Sequence, residues 1–247
     1  DAMKFAGKCA VISGAARGIG RATALKLAAE GAKVALLDIN DEGLAAVAES
    51  IRSAGGTALS KVVDLKAQTE VKSAVADILV AFGQIDILVN CAGAGWHKNV
   101  RFKDLPDGSW EWILDLNVKG TMFLTQAVLG NMVERQYGKI VNLGSIAGNV
   151  GLPGLAVYSA SKGAITSFTK ALAMELGSSN INVNCISPGL IASEESKGKT
   201  EGNYLERWGM PSEVADLILF LVSENASYIT GVDYLIDGGR VIGPRNR

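Results

Sequence analysis

Histidine occurs once in these 247 residues, at His97, and cysteine three times, at Cys9, Cys91 and Cys185. So few ligands, none closely spaced, make no His and Cys cluster for zinc, and a catalytic triad would rest on His97 alone. No metal site is expected. The cysteines sit in apolar, strand-like surroundings and read as buried free thiols. An excess of one charge is missing too: 24 Lys plus Arg face 25 Asp plus Glu, and no basic block stands ready for a phosphate backbone or anionic lipid. Neither nucleic acid nor membrane is an expected partner. The longest apolar run, LILFLV at 217–222, falls far below the ~18 residues of a bilayer span. No basic segment followed by an apolar one opens the chain, so a cytoplasmic location is expected; Asp1 and Ala2, ahead of Met3, are set aside.

What the chain does have is alternation. CAVI (9–12), KVALLD (33–38), ALSKVVD (58–64), IDILVN (85–90), KIVNLGS (139–145), INVNCIS (181–187) and DYLI (233–236) read as strands. Helical periodicity fills 18–30, 41–54, 66–82, 109–136, 157–177 and 211–223. Strands apolar on both faces, alternating with helices, predict an α/β fold: a doubly wound parallel sheet of about seven strands, helices on both faces, in one domain over 3–247. The least regular stretch, EESKGKTEGNY at 194–204, reads as a surface loop or short mobile flap.

Between the first strand and the first helix lies SGAARGIG, with glycines at 14, 18 and 20. Glycine permits a tight turn and close approach to a pyrophosphate, whose charge then meets the positive helix N-terminus. Gly14, Arg17, Gly18, Ile19 and Gly20 are therefore candidate dinucleotide contacts. The second strand ends in Asp38, about twenty residues on, where a carboxylate suits ribose hydroxyls and repels a 2′-phosphate; NAD is expected over NADP. Arg17 reads as solvated or facing the pyrophosphate, pairing with a phosphate being the alternative. Downstream, Tyr158 and Lys162 are four apart, hence on one helical face and able to act on one ligand.

Taken together and in order, SGAARGIG, Asp64, NCAG at 90–93, Asn117 in NVKG, Ser145, the Tyr158 and Lys162 pair, and SPG at 187–189 resemble the classical short-chain dehydrogenases/reductases over residues 5–239. Three departures stand out. Ser13 replaces the usual threonine and keeps a hydroxyl, Cys91 replaces asparagine and loses a side-chain hydrogen bond, and the segment between Pro188 and RWGMP at 207–211 is short. The last bears on substrate choice. The resemblance implies a Rossmann-type fold, a small alcohol or ketone substrate, and a homotetramer. It also implies that Asp64 and Leu65 face adenine, that Asn90, Ala92 and Gly93 line the adenosine side, and that Pro188, Gly189, Ile191 and Ser193 wrap the nicotinamide end. Lys162 would further hold the nicotinamide ribose, and the Asn117 carbonyl a water that relays the proton.

The chemistry fits those residues. Hydride leaves an alcohol carbon only as the hydroxyl proton is removed, and a tyrosine beside a cation is favoured as phenolate, so Tyr158 reads as general base and acid with Lys162 lowering its pKa. Ser145 reads as a donor to the substrate oxygen. Trp96 and His97, after NCAG, read as substrate-side or packing residues. A reductase of 3-oxoacyl thioesters using NADPH is the second reading, and a non-catalytic dinucleotide sensor a third. For assembly, Tyr158, Lys162, Ile165, Thr169, Leu172 and Leu176 face the sheet. The opposite face, Ala160, Ala164, Ser167, Phe168 and Ala171, is too apolar for solvent and is expected against a second subunit.

Overall fold

A computed structural model describes residues 3–95, 100–193 and 200–243. Trp96, His97 and residues 194–199 of the expected flap lie outside them. Among the described residues the strands are β1 Cys9–Ser13, β2 Lys33–Asp38, β3 Thr57–Val62, β4 Ile87–Asn90, β5 Gly138–Leu143, β6 Ile181–Pro188 and β7 Asp233–Ile236. All pair in parallel, in the order β3-β2-β1-β4-β5-β6-β7. The helices between them are α1 Gly18–Ala29, α2 Asp41–Ser53, α3 Gln68–Phe82, α4 Glu111–Leu114, α5 Thr121–Arg135, α6 Ile146–Val150, α7 Ala156–Leu176 and α8 Pro211–Leu221. None is long and apolar enough to cross a membrane.

Side chains alternate across the sheet, so each buried strand feeds two core layers. Along β1, Ala10 and Ile12 join Leu27, Leu44 and Ile218 beneath α1, α2 and α8, whereas Cys9 and Val11 join Ile78, Leu124 and Leu172 beneath α3, α5 and α7. Local chemistry sets the helix ends. Asn40 caps α2 by accepting from Gly43 N at 3.0 Å, Asp41 and Glu42 occupy its first turn and Arg52 its last, all in the sense the helix dipole favours. The strand order turns back between β1 and β4, and the crevice beyond their C-terminal ends is where such sheets place a ligand.

Two elements depart from the periodicity. The expected helix 109–136 is interrupted: a π-helical turn, Asp115–Gly120, separates α4 from α5. Asn117 is the reason, because its side chain is held outside the helix by Ala94 and by Ser161, and the widened turn accommodates that pull. The strand expected to run to Ser145 stops at Leu143, and Ser145 instead caps the unanticipated α6, accepting from Ala147 N at 3.2 Å. On α7, Lys162, Ile165, Thr169, Leu172 and Leu176 are buried as expected, and Ala160, Ser167, Ala171 and Met174 are exposed. Phe168 is a correction. Expected on the outer face against a second subunit, it packs partly against the subunit's own second core layer.

Candidate active site

The glycine-rich loop is pinned from both sides. Ala15 N bonds Leu37 O at 3.2 Å, and Ala16 N donates to Asp38 Oδ2 at 3.1 Å, while the other Asp38 oxygen accepts from Asn40 N at 3.1 Å. Asp38 thus holds the loop and stands at the end of β2. Ser13 uses its hydroxyl as expected of a threonine substitute, accepting from Ala92 N at 3.2 Å and tying the loop to the β4 end. A Cβ at Gly20 would fall 2.1 Å from Gly14 O, so the helix start lies hard against the loop. Gly18, at φ +56°, leaves open space on that side. Beside it the N-terminus of α1 has no side-chain cap at Arg17 and no acid in its first turn. A cradle of free backbone N–H groups with room above it fits a pyrophosphate.

Beyond β4 the groups expected in catalysis come together. Lys162 is buried, and its Nζ donates to Leu143 O at 2.8 Å and lies 5.9 Å from the Tyr158 ring centre. Burial pushes its ammonium down to about 8. A Cβ at Gly93 would sit 3.2 Å from both Lys162 Nζ and Asn117 Oδ1, so the NCAG loop passes directly over these two groups. Asn117 Oδ1 accepts from Ala94 N at 2.9 Å and its Nδ2 donates to Ala94 O and Ser161 Oγ, each at 3.0 Å. Its backbone carbonyl accepts from Thr121 Oγ1 at 2.9 Å.

The electrostatics of Tyr158 correct the expectation. Lys162 was expected to lower the phenol, yet its pKa is raised, because burial outweighs every other influence; a hydrogen bond with Ser145 pulls the other way. The Lys162 ammonium is turned to the Leu143 carbonyl. With its pKa raised, Tyr158 is a neutral phenol at neutral pH.

Other candidates distribute unevenly. Asn90 is a correction: its amide donates to Thr125 Oγ1 at 3.0 Å and Asn142 Oδ1 at 2.8 Å inside the second layer, so its side chain binds the sheet to its helices and does not line the crevice. Leu65 is another, its side chain packed in the same layer. Asp64 stays half-exposed, in a turn closed by Lys66 N at 3.0 Å. Pro188 ends β6, Gly189 N bonds Ile236 O at 3.0 Å, Ile191 packs against the first layer, and Ser193 is exposed. The Cys91 thiol is pushed up to about 12 by burial, with the nearby Lys162 charge opposing. Sequence reasoning missed Asn142 and Thr125, whose chain from Asn90 ends at the sheet-facing Thr169, its Oγ1 2.9 Å from Asn142 Nδ2. The asparagine inside the otherwise apolar strand KIVNLGS was the available signal.

Residues 8–203 match the short chain dehydrogenase family. A 3-oxoacyl-[acyl-carrier-protein] reductase of Thermotoga maritima is 37% identical over 248 residues, spanning 97% of this chain and all of that protein. An NAD-dependent glycerol dehydrogenase of Listeria innocua is 41% identical over 244 residues, 95% and 94% of the two chains. The crystal structure of an NAD+-bound xylitol dehydrogenase superposes with a TM-score of 0.90 at 35% identity, over 96% of this chain and 100% of the other.

Proposed function

Because the chain belongs to the short-chain dehydrogenase/reductase family, and so is an oxidoreductase acting on CH–OH and keto groups, we propose that it uses NAD with a small secondary alcohol or its ketone. The observation that carries this reading is the meeting of Ser145, Tyr158 and Lys162 beyond the β4 and β5 ends, beside the pinned glycine-rich loop. The chemistry supplied by a bound nicotinamide dinucleotide is hydride transfer. Tyr158 gives a proton to the carbonyl oxygen in reduction and takes it from the hydroxyl in oxidation. Ser145 donates to the same oxygen as charge develops there, a contribution of ~2.7–4 kcal/mol for comparable donors. In this reading Lys162 stabilises the phenolate left on Tyr158 and holds ribose hydroxyls. Asn117 keeps the NCAG loop over that lysine.

The residues proposed to hold the dinucleotide are Gly14, Arg17, Gly18, Ile19 and Gly20 at the pyrophosphate, Asp38 at the adenosine ribose, and the backbone of 90–93 and 188–191 further along. Asp38 favours NAD, since its carboxylate at the end of β2 leaves no welcome for a 2′-phosphate. The Thermotoga relative favours a second reading, reduction of a 3-oxoacyl thioester. A screen of polyols, cyclic and linear secondary alcohols and 3-oxoacyl thioesters, each with NAD(H) and NADP(H), read by nicotinamide absorbance, separates the two. Turnover of alcohols with NAD supports the proposal; turnover confined to thioesters with NADPH replaces it. The active unit is proposed to be a cytoplasmic homotetramer, with the exposed small-residue face of α7 covered by a second copy.

A further inference from the structure

Asp233 opens the edge strand β7, directly opposite Cys185 in the register with β6. It belongs to neither the glycine-rich loop nor the Ser145, Tyr158 and Lys162 group, yet its carboxylate reaches toward both helices that carry that group. Its Oδ2 accepts from Asn149 Nδ2 at 3.1 Å and from Thr166 Oγ1 at 3.3 Å. Asn149 lies in α6, and the same amide also donates to the backbone oxygen of Ser145 at 3.3 Å. Thr166 lies in α7, one turn after Lys162, and its hydroxyl also stands 3.4 Å from Lys162 O. A hydroxyl has one hydrogen, so the carboxylate, the stronger acceptor, holds it in preference to the peptide oxygen. The Cys185 thiol leans on the same carboxylate, which adds to burial in pushing it up to about 12.

Between α6 and α7 the contact is backbone on backbone. A Cβ at Gly148 would fall 2.6 Å from Gly163 N and from Lys162 C. The two helices are closely packed, and the carboxylate bridge from Asn149 to Thr166 adds a polar restraint on how one slides over the other, beside the bond from Leu152 N to Ser159 Oγ at 3.3 Å. Sliding matters here because α6 begins at the Ser145 cap and α7 carries Tyr158 in its first turn, so the approach of the Ser145 hydroxyl to the Tyr158 phenol spans the same seam.

We propose that Asp233 is a positioning residue: through Asn149 and Thr166 it locks α6 to α7 and thereby sets the distance from the Ser145 hydroxyl to the Tyr158 phenol. The proposal rests on the catalytic reading of Ser145 and Tyr158, but it can be tested apart from turnover. Released from the tie, α6 shifts, the Ser145 hydrogen bond lengthens, and the phenol, already raised by burial, rises further.

The experiment titrates the Tyr158 phenol by its ultraviolet tyrosinate difference spectrum in the purified protein, using Tyr158→Phe in the same background as the blank. It compares wild type, Asn149→Ala, Thr166→Val, Asp233→Ala and Asp233→Asn, and measures kcat and KM on the best alcohol from the screen. A higher phenol midpoint is expected in Asn149→Ala and Asp233→Ala, with kcat down about 10-fold and KM nearly unchanged, since misplacement by about 1 Å can cost up to ~10²-fold. Asp233→Asn, which keeps a carbonyl oxygen for both donors, should recover most of kcat. Asn149→Ala added to Asp233→Ala should cost no more than Asp233→Ala alone, because both cut one connection. An unchanged phenol midpoint in Asn149→Ala, additive losses, or a defect confined to KM would overturn the proposal. Asn149 is exposed, so that variant decides the matter even if Asp233→Ala does not fold. If Tyr158→Phe kept full turnover, the catalytic reading would fail while the titration still judged the tie.

Discussion

Replacing Lys162 with methionine should abolish turnover and yet make the protein harder to unfold at neutral pH. Lys162 is 5% exposed, and burial brings its ammonium from an ordinary 10.5 down to about 8. At roughly 1.4 kcal/mol per pH unit, holding that charge inside costs about 3 kcal/mol at pH 7. Methionine has nearly the same length and no charge to desolvate. It abandons the bond to Leu143 O, 2.8 Å away in the wild type, which returns about 1 to 2 kcal/mol of loss. The net gain is about 1 to 2 kcal/mol, or roughly 2–8 °C in Tm for a chain of this length. The pH dependence gives the argument its sign. A lysine whose folded pKa lies below its unfolded value is a penalty that is complete below about pH 8 and relieved between about 8 and 10.5. Near pH 9.5, roughly 2 of those 3 kcal/mol have gone, so the variant should lose its advantage there. The assay is thermal unfolding of both proteins, free of cofactor, at pH 7 and pH 9.5. A variant less stable than wild type at pH 7, or a Tm difference that does not move with pH, would refute the reasoning.

The parts that were legible in the sequence are those whose partners lie close along the chain. SGAARGIG, Asp38 and the Tyr158 and Lys162 pair depend on one strand-turn-helix unit, one strand end and one helical turn, and local spacing reports all three. The parallel sheet was legible because strands such as CAVI in β1 are apolar on both faces. What the spacing could not report depends on distant segments. Asn90 looked like a crevice residue until β5, α5 and α7 closed over it and supplied Thr125 and Asn142 as partners. The interruption at Asp115–Gly120 is invisible to periodicity, since it is imposed by Ala94 and Ser161 on other elements. Lys162 was expected to act on Tyr158 through charge, and only the folded chain shows that burial raises the phenol and where the lysine points. Asp233 carried no motif at all; its place follows from the pairing of β6 with β7 and the seating of α6 on α7.

Tyr158→Phe should lower kcat at least 10²-fold with cofactor binding retained, because the ring stays and the proton does not; activity above about a tenth of wild type would exclude the role. Asp38→Ala should raise the NAD dissociation constant and narrow the preference over NADP, measured by fluorescence titration of each reduced cofactor. A wild type that already binds NADPH more tightly would shift the choice to Arg17. The last expectation concerns assembly, where Phe168 is the wrong probe: its ring packs on the subunit's own core, so a charge there would unfold the chain and dissociate an oligomer alike. Ala171 is exposed on the same helix, near Met174, which is 81% exposed. An arginine at Ala171 touches nothing inside the subunit, so monomer stability should stay within about 0.5 kcal/mol. If α7 meets its copy across a two-fold axis, however, that arginine faces its own image, and two like charges enter one apolar contact. Light scattering at micromolar concentration should give about four times the 25.8 kDa chain mass for wild type and a smaller assembly for Ala171→Arg. A wild type at the single-chain mass, or a variant that assembles like wild type, would remove α7 from the interface.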